Sequence, residues 1–130
     1  MNADLYNNTD VVQTIIPAVY KTAQTGAAVD LHGYHGAMVE INCGLWTDGS
    51  HAFEVQESDA AGSGFAAVDN GQLQGTEPTV TGATQDEQIY RIGYMGAKRY
   101  IKVVTTESGT TGMAHSVNVI RGHPRKAPVA

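Results

Sequence analysis

Met38-Val39-Glu40-Ile41-Asn42-Cys43-Gly44-Leu45-Trp46 puts Val39, Ile41, Cys43 and Leu45 on one side of an extended chain, with Met38, Glu40, Asn42 and Gly44 on the other. Successive side chains of a strand point to opposite faces, so this run reads as a half-buried strand with one apolar face. A helix would turn Val39 and Ile41 to different sides. The same alternation recurs in His51-Ala52-Phe53-Glu54-Val55-Gln56-Glu57, with Phe53 and Val55 inward. It recurs in Arg99 to Thr105, with Ile101 and Val103 inward, and in Ala114 to Ile120, with Val117 and Val119 inward. Weaker alternation marks Val11 to Ile16, Ala28 to His32, Phe65 to Val68 and Gln88 to Tyr94.

Turn residues separate these runs. The Asp48-Gly49 pair suits the positive φ angles of a tight turn, which predicts a hairpin between Met38–Trp46 and His51–Glu57. Tyr94 to Lys98 predicts a second hairpin, and Glu107 to Gly112 links the last two strands. Ala60 to Gly64 is a flexible connection, and Gly71 to Glu87 is long enough to cross between two sheets. Pro17 to Thr25 is too short for a helix and reads as a loop. About eight short strands at this spacing predict an all-β, single-domain antiparallel sandwich or barrel. Gly33-Tyr34-His35-Gly36-Ala37 echoes Gly93-Tyr94-Met95-Gly96-Ala97 at four of five positions, each just before or after a strand. So short an echo reads as one turn-forming motif used twice.

Composition agrees. The 130 residues suit one core, 42% are hydrophobic, only 16% are charged, and Gly is abundant at 15. The net charge of −5 argues against a nucleic-acid partner. Arg121, His123, Arg125 and Lys126 form only a small basic patch. One cysteine, Cys43, permits no internal disulfide. No apolar run of about 20 residues offers a membrane span, and the first residues lack the pattern of a secretory signal. A soluble protein made in the cytoplasm is expected.

Catalytic patterns are sparse. No Gly-x-Ser-x-Gly elbow or phosphate-cradling glycine loop occurs. Cys43 faces inward and reads as a small apolar residue. His32 and His35 have a ligand-like spacing, but zinc would need further ligands from His51, His115 or His123. Asp59, Asp69, Asp86 and Glu87 do not match a calcium loop. Glu40 and Glu54, facing each other across the predicted hairpin, would form a carboxylate pair, but on a wet outer face. No catalytic residue, metal or cofactor is expected. Tyr90, Ile92 and Tyr94 share a face, of which Tyr90 and Ile92 read as core; Trp46 and Tyr100 read as interface aromatics.

Three segments together resemble the head proteins that decorate or cement the capsids of tailed bacteriophages. They are Phe53 to Val68, the run Tyr90-Arg91-Ile92-Gly93-Tyr94-Met95-Gly96-Ala97-Lys98-Arg99-Tyr100-Ile101-Lys102-Val103, and the ending Arg121-Gly122-His123-Pro124-Arg125-Lys126-Ala127-Pro128. The resemblance covers residues 27–128 or so. It implies a jelly roll of about eight strands, no catalysis, assembly into a dimer or trimer, and the major capsid protein as partner. The location it implies is the surface of a virion assembled in the bacterial cytoplasm. The chain then divides into an N-terminal arm (residues 1–10), a β-sandwich (11–122) and an extended tail (123–130). Leu5, Tyr6, Trp46, Tyr100, Arg121, His123, Pro124, Arg125 and Pro128 are the expected contact residues. A carbohydrate- or receptor-binding module of a tail or fibre is the alternative, and a small hydrolase is the third class weighed.

Overall fold

The period-two runs form two facing sheets. The computed structural model describes residues 2–129. Met1 and Ala130, the outermost residues of the expected arm and tail, lie outside the described residues. The strands are β1 (Thr9–Tyr20), β2 (Val29–Asp30), β3 (Tyr34–Trp46), β4 (His51–Ser58), β5 (Ala66–Ala67), β6 (Leu73–Gln74), β7 (Thr79–Val80), β8 (Ile89–Tyr94), β9 (Tyr100–Glu107) and β10 (Met113–Pro124). The first sheet runs β1-β10-β3-β8-β6 and the second β2-β9-β4-β5, with β7 also on β4. Among the described residues no helix is long and apolar enough to cross a membrane.

Four nested antiparallel pairs define the topology: β1 with β10, β2 with β9, β3 with β8, and β4 with β5. The chain is one long hairpin folded at the β4–β5 connection and rolled so that alternate pairs fall in alternate sheets. That is a jelly roll. Val39, Ile41 and Cys43 of β3, Ile92 of β8, and Val117 and Val119 of β10 are buried against Phe53 and Val55 of β4 and Ile101 and Val103 of β9. Each such aliphatic side chain contributes about 1.5–3 kcal/mol by leaving water.

Rolling changes what the turns do. β3 and β4 lie in different sheets, so the predicted hairpin around Asp48-Gly49 is a crossing between sheets. Tyr94 to Lys98 joins β8 to β9 and is also a crossing, as is Glu107 to Gly112. Turn residues encode a reversal of direction, and strands that reverse into the opposite sheet use the same chemistry. The β4–β5 connection does join paired neighbours. Gly71 to Glu87 crosses twice, leaving β6 on the first sheet and β7 on the second.

Leu45 was expected inward and is 64% exposed. Between the pairs Cys43↔His115 and Trp46↔Met113, β3 has one residue more than β10. This bulge reverses the alternation and turns Trp46, not Leu45, toward the core. The segment from Pro17 was expected to be loop, yet β1 continues to Tyr20. Pro17, which has no N–H to give, is tolerated because β1 is an edge strand interrupted by two register shifts.

Candidate interaction surface

The N-terminal arm is ordered by one aspartate. Asp4 Oδ1 accepts the Asn7 amide at 3.0 Å, and Oδ2 accepts Asn7 Nδ2 at 2.8 Å. The Asp4 carbonyl accepts Asn8 Nδ2, and the Leu5 carbonyl accepts the Thr9 hydroxyl, both at 2.8 Å. The resulting 3-10 turn, Tyr6–Asn8, buries none of its residues. It holds Leu5 and Tyr6 in solvent, 70% and 78% exposed. The Asn7 bonds keep the Asp4 carboxyl below its ordinary range, with the backbone amide the largest cause.

The tail meets the arm. Thr9 pairs with Gly122 and Asp10 with Arg121, and the Asn7 carbonyl accepts the Val129 amide at 2.9 Å. Pro124 pairs with Tyr34, and the Gly33 carbonyl accepts the Arg125 amide at 2.8 Å. Leu5, Tyr6, Arg121, His123, Pro124, Arg125 and Pro128 therefore sit at one end of the sandwich. Tyr100 joins them there, because it opposes Asp30, whose carbonyl accepts Arg121 Nη1 at 2.8 Å. Trp46 does not. It lies at the opposite end of β3, half-buried against the core, and its indole N–H donates to the Gly49 carbonyl at 2.9 Å.

Arg121 is committed internally. Its guanidinium donates to Asp10 and to the Asp30 carbonyl and lies 4.5 Å over the Tyr34 ring. His123, Arg125 and Pro128 are exposed. Sequence reading missed the apolar neighbours of this end. Val11, Ile120 and Met38 stand directly opposite one another on the outer face of the first sheet. Val11 is 58% exposed. Alternation carries the signal for this row, but only the strand order brings three separate runs into register.

The other candidates fall elsewhere. Glu40 opposes Asn118 and Arg91 in the first sheet, whereas Glu54 lies in the second, so the two carboxylates do not pair. Cys43 is buried, and burial raises its thiol to about 11. His51 and His115 meet at Glu107, at the end far from His32, His35 and His123. The three side chains are fully buried, where a dissolved substrate has no access. Among the described residues no group of three His, Cys, Asp or Glu side chains is arranged to hold a metal ion.

The arrangement suits adhesion. It offers an ordered, exposed apolar tip, an apolar row in register beside it, and flanking cations on a rigid sheet. Comparison with family models, with curated proteins and with solved structures gives no match for this chain.

Proposed function

We propose that this chain is a non-enzymatic structural protein of a phage particle that binds the capsid through the end carrying both termini. The reading is carried by one observation: the Asp4 turn fixes Leu5 and Tyr6 and yet leaves them in solvent. An apolar pair that costs order to expose is a usual mark of a contact site. The jelly roll adds support by analogy only, since capsid and lectin domains share it with many other roles. Repeated copies on a shell would add modest contacts into firm attachment.

The test is co-sedimentation of the purified chain with heads of the phage whose genome encodes it. The chain is expected to pellet with heads, and the L5S/Y6S double variant to stay in solution with an unchanged melting curve. A chain that never pellets, or a variant that pellets like the parent, overturns the reading. Selective retention on a glycan array in place of heads would favour the sugar-binding alternative.

A further inference from the structure

At the terminal end the two sheets part over a cleft of about 360 Å³. Both copies of the echoed pentapeptide line it. Tyr34, His35, Gly36 and Ala37 line it from β3, and Tyr94, Gly96 and Ala97 from the end of β8 and the turn after it, with Ala37 and Tyr94 paired side by side in the β3–β8 ladder. Motifs separated by sixty positions in the chain thus lie side by side and build one wall. The wall is fixed: the Tyr94 hydroxyl donates to Glu57 Oε1 at 2.7 Å and accepts the Lys98 amide at 3.1 Å.

The cleft is a local reversal of charge. The chain carries −5 overall, while Lys98, Arg99 and Arg125 line the cleft against one carboxylate, Asp59. Two of these cations are already engaged. Lys98 Nζ lies 2.9 Å from Asp59 Oδ2, and Arg99 grips Asp30 through Nε and Nη2, both at 2.9 Å. Arg125 differs. Its backbone amide is anchored on Gly33, but its guanidinium makes no hydrogen bond to the described residues. His32 and His35 flank it in the same cleft.

We infer that this cleft binds an acidic, extended peptide segment, one carboxylate of which pairs with Arg125. A guanidinium offers a planar fork that matches a carboxylate in two parallel bonds. The imidazoles and the glycine-lined walls give a second carboxylate or the peptide backbone room to approach. Asp59 and Asp30 already neutralise Lys98 and Arg99, so Arg125 carries the charge that an acidic ligand would meet. A polynucleotide fits less well, because its closely spaced phosphates would meet, among the described lining residues, Arg125 alone unpaired and the repulsion of an acidic chain. The inference deepens the particle-binding reading by naming the chemistry of the partner segment, and it rests on that reading for where the segment comes from.

The experiment measures fluorescence anisotropy of a labelled oligoglutamate peptide with the full chain, without any particle, so that it can fail separately from head binding. Labelled oligolysine, oligothymidylate and free acetate as competitor form the other arms. Oligoglutamate is expected to bind, to weaken as salt is raised, and to lose at least about tenfold in affinity in R125A, the scale of one charge-assisted contact. R125E is expected to abolish binding. R91A, which removes an exposed cation of β8 outside this cleft, is expected to bind as the parent does. Arg125 makes no side-chain bond to the described residues, so melting curves should match throughout. Absence of oligoglutamate binding, equal loss in R91A, tighter binding of oligothymidylate, or displacement by acetate at peptide-like concentrations would each overturn the inference.

Discussion

His51 Nδ1 and His115 Nε2 approach the same atom, Oε1 of Glu107, at 2.8 and 2.9 Å. His51 stands opposite Glu107 in the second sheet, and His115 belongs to the first, so one carboxylate oxygen joins the sheets. The Thr105 hydroxyl donates to Oε2 at 2.7 Å. The His115 ring sits between Tyr20 and Phe53, with centroids 4.7 and 4.9 Å away. Its Nδ1 is buried without a partner among the described residues, so the hydrogen bonding assigns a proton to Nε2, facing Glu107.

Replacing Glu107 by Gln should therefore be costly. Gln keeps an acceptor for the two imidazoles but removes the carboxylate's charge and sets an amide NH2 where Oε2 accepts from Thr105, a loss of about 1–3 kcal/mol. Urea unfolding of E107Q against the parent measures it. Burial pushes the Glu107 carboxyl up, but donation from His115, His51 and Thr105 outweighs that and holds it below its ordinary value of 4.5. A depressed folded pKa stabilises fully above the unfolded value and is lost as pH falls through the folded one. The parent should lose stability below 4.5, and E107Q should show a shallower loss. Equal acid slopes in the two proteins would count against hydrogen bonding to the Glu107 carboxylate.

Asp48 supplies a second acid-sensitive contact. Its carboxylate accepts the amides of Thr110 at 2.9 Å and Thr111 at 3.1 Å, with Gly112 more distant at 3.4 Å. These bonds, Thr110 first, lower its pKa from 3.8. They clamp the β3–β4 crossing to the β9–β10 crossing. Gly49, at φ +81, is pressed so close that a Cβ there would lie 2.0 Å from the Ser108 carbonyl oxygen. D48N should melt below the parent at neutral pH, and the gap should narrow as pH falls below 3.8, where the parent's own carboxyl protonates. Thermal melts at several pH values decide it; a gap that widens in acid would contradict the assignment.

How far the sequence carried the structure differs between strands and connections. Val39, Ile41, Phe53, Val55, Ile101, Val103, Val117 and Val119 were legible as core because alternation depends only on the local chain. The pairing of those strands was not. Asp48-Gly49 announces a reversal without saying which sheet receives the next strand, and the bulge at Gly44-Leu45 leaves no periodic trace. At the terminal end of the sandwich, Leu5 and Tyr6 were legible as apolar residues in a polar arm. Trp46, expected as an interface aromatic, lies half-buried at the other end of the sandwich, a placement that alternation could not give because of the bulge before it. His51 and His115 were legible only as stray imidazoles, and their meeting at Glu107 was not, because each of the three stands alone in its own run and only the rolled topology unites them.

Thr14 and Gly26 close the side of the sandwich between β1 and β9. The Thr14 hydroxyl donates to the Ala27 carbonyl at 2.7 Å and accepts the Val103 amide at 3.4 Å. Gly26 fits beneath it, where a Cβ would come within 2.3 Å of Thr14 Oγ1 and 2.6 Å of the Val103 carbonyl oxygen. G26A must push the two sheets apart or break this seam, at about 3 kcal/mol, the upper part of the overpacking range. T14V keeps the shape but strands the Ala27 carbonyl and should cost about 1–2 kcal/mol. Chemical denaturation ranks them, and a G26A protein as stable as the parent would refute the close approach.

Arg121 distinguishes holding the fold from holding a partner. It was expected among the contact residues, and its basic neighbours Arg125 and Lys126 are exposed. Its own side chain is only 18% exposed and is spent on Asp10, the Asp30 carbonyl and the Tyr34 ring. R121A should therefore lower stability, by about 1–2 kcal/mol for the lost cation–π contact and hydrogen bonds. R121K should recover only part, because an ammonium cannot reach a carboxylate, a carbonyl and a ring face together as the guanidinium does. R125A should leave stability unchanged and act on binding alone. Paired melting and co-sedimentation measurements on the three variants separate the roles. Should R121A melt like the parent while releasing the particle, Arg121 would belong to the adhesive surface and its internal contacts would be incidental.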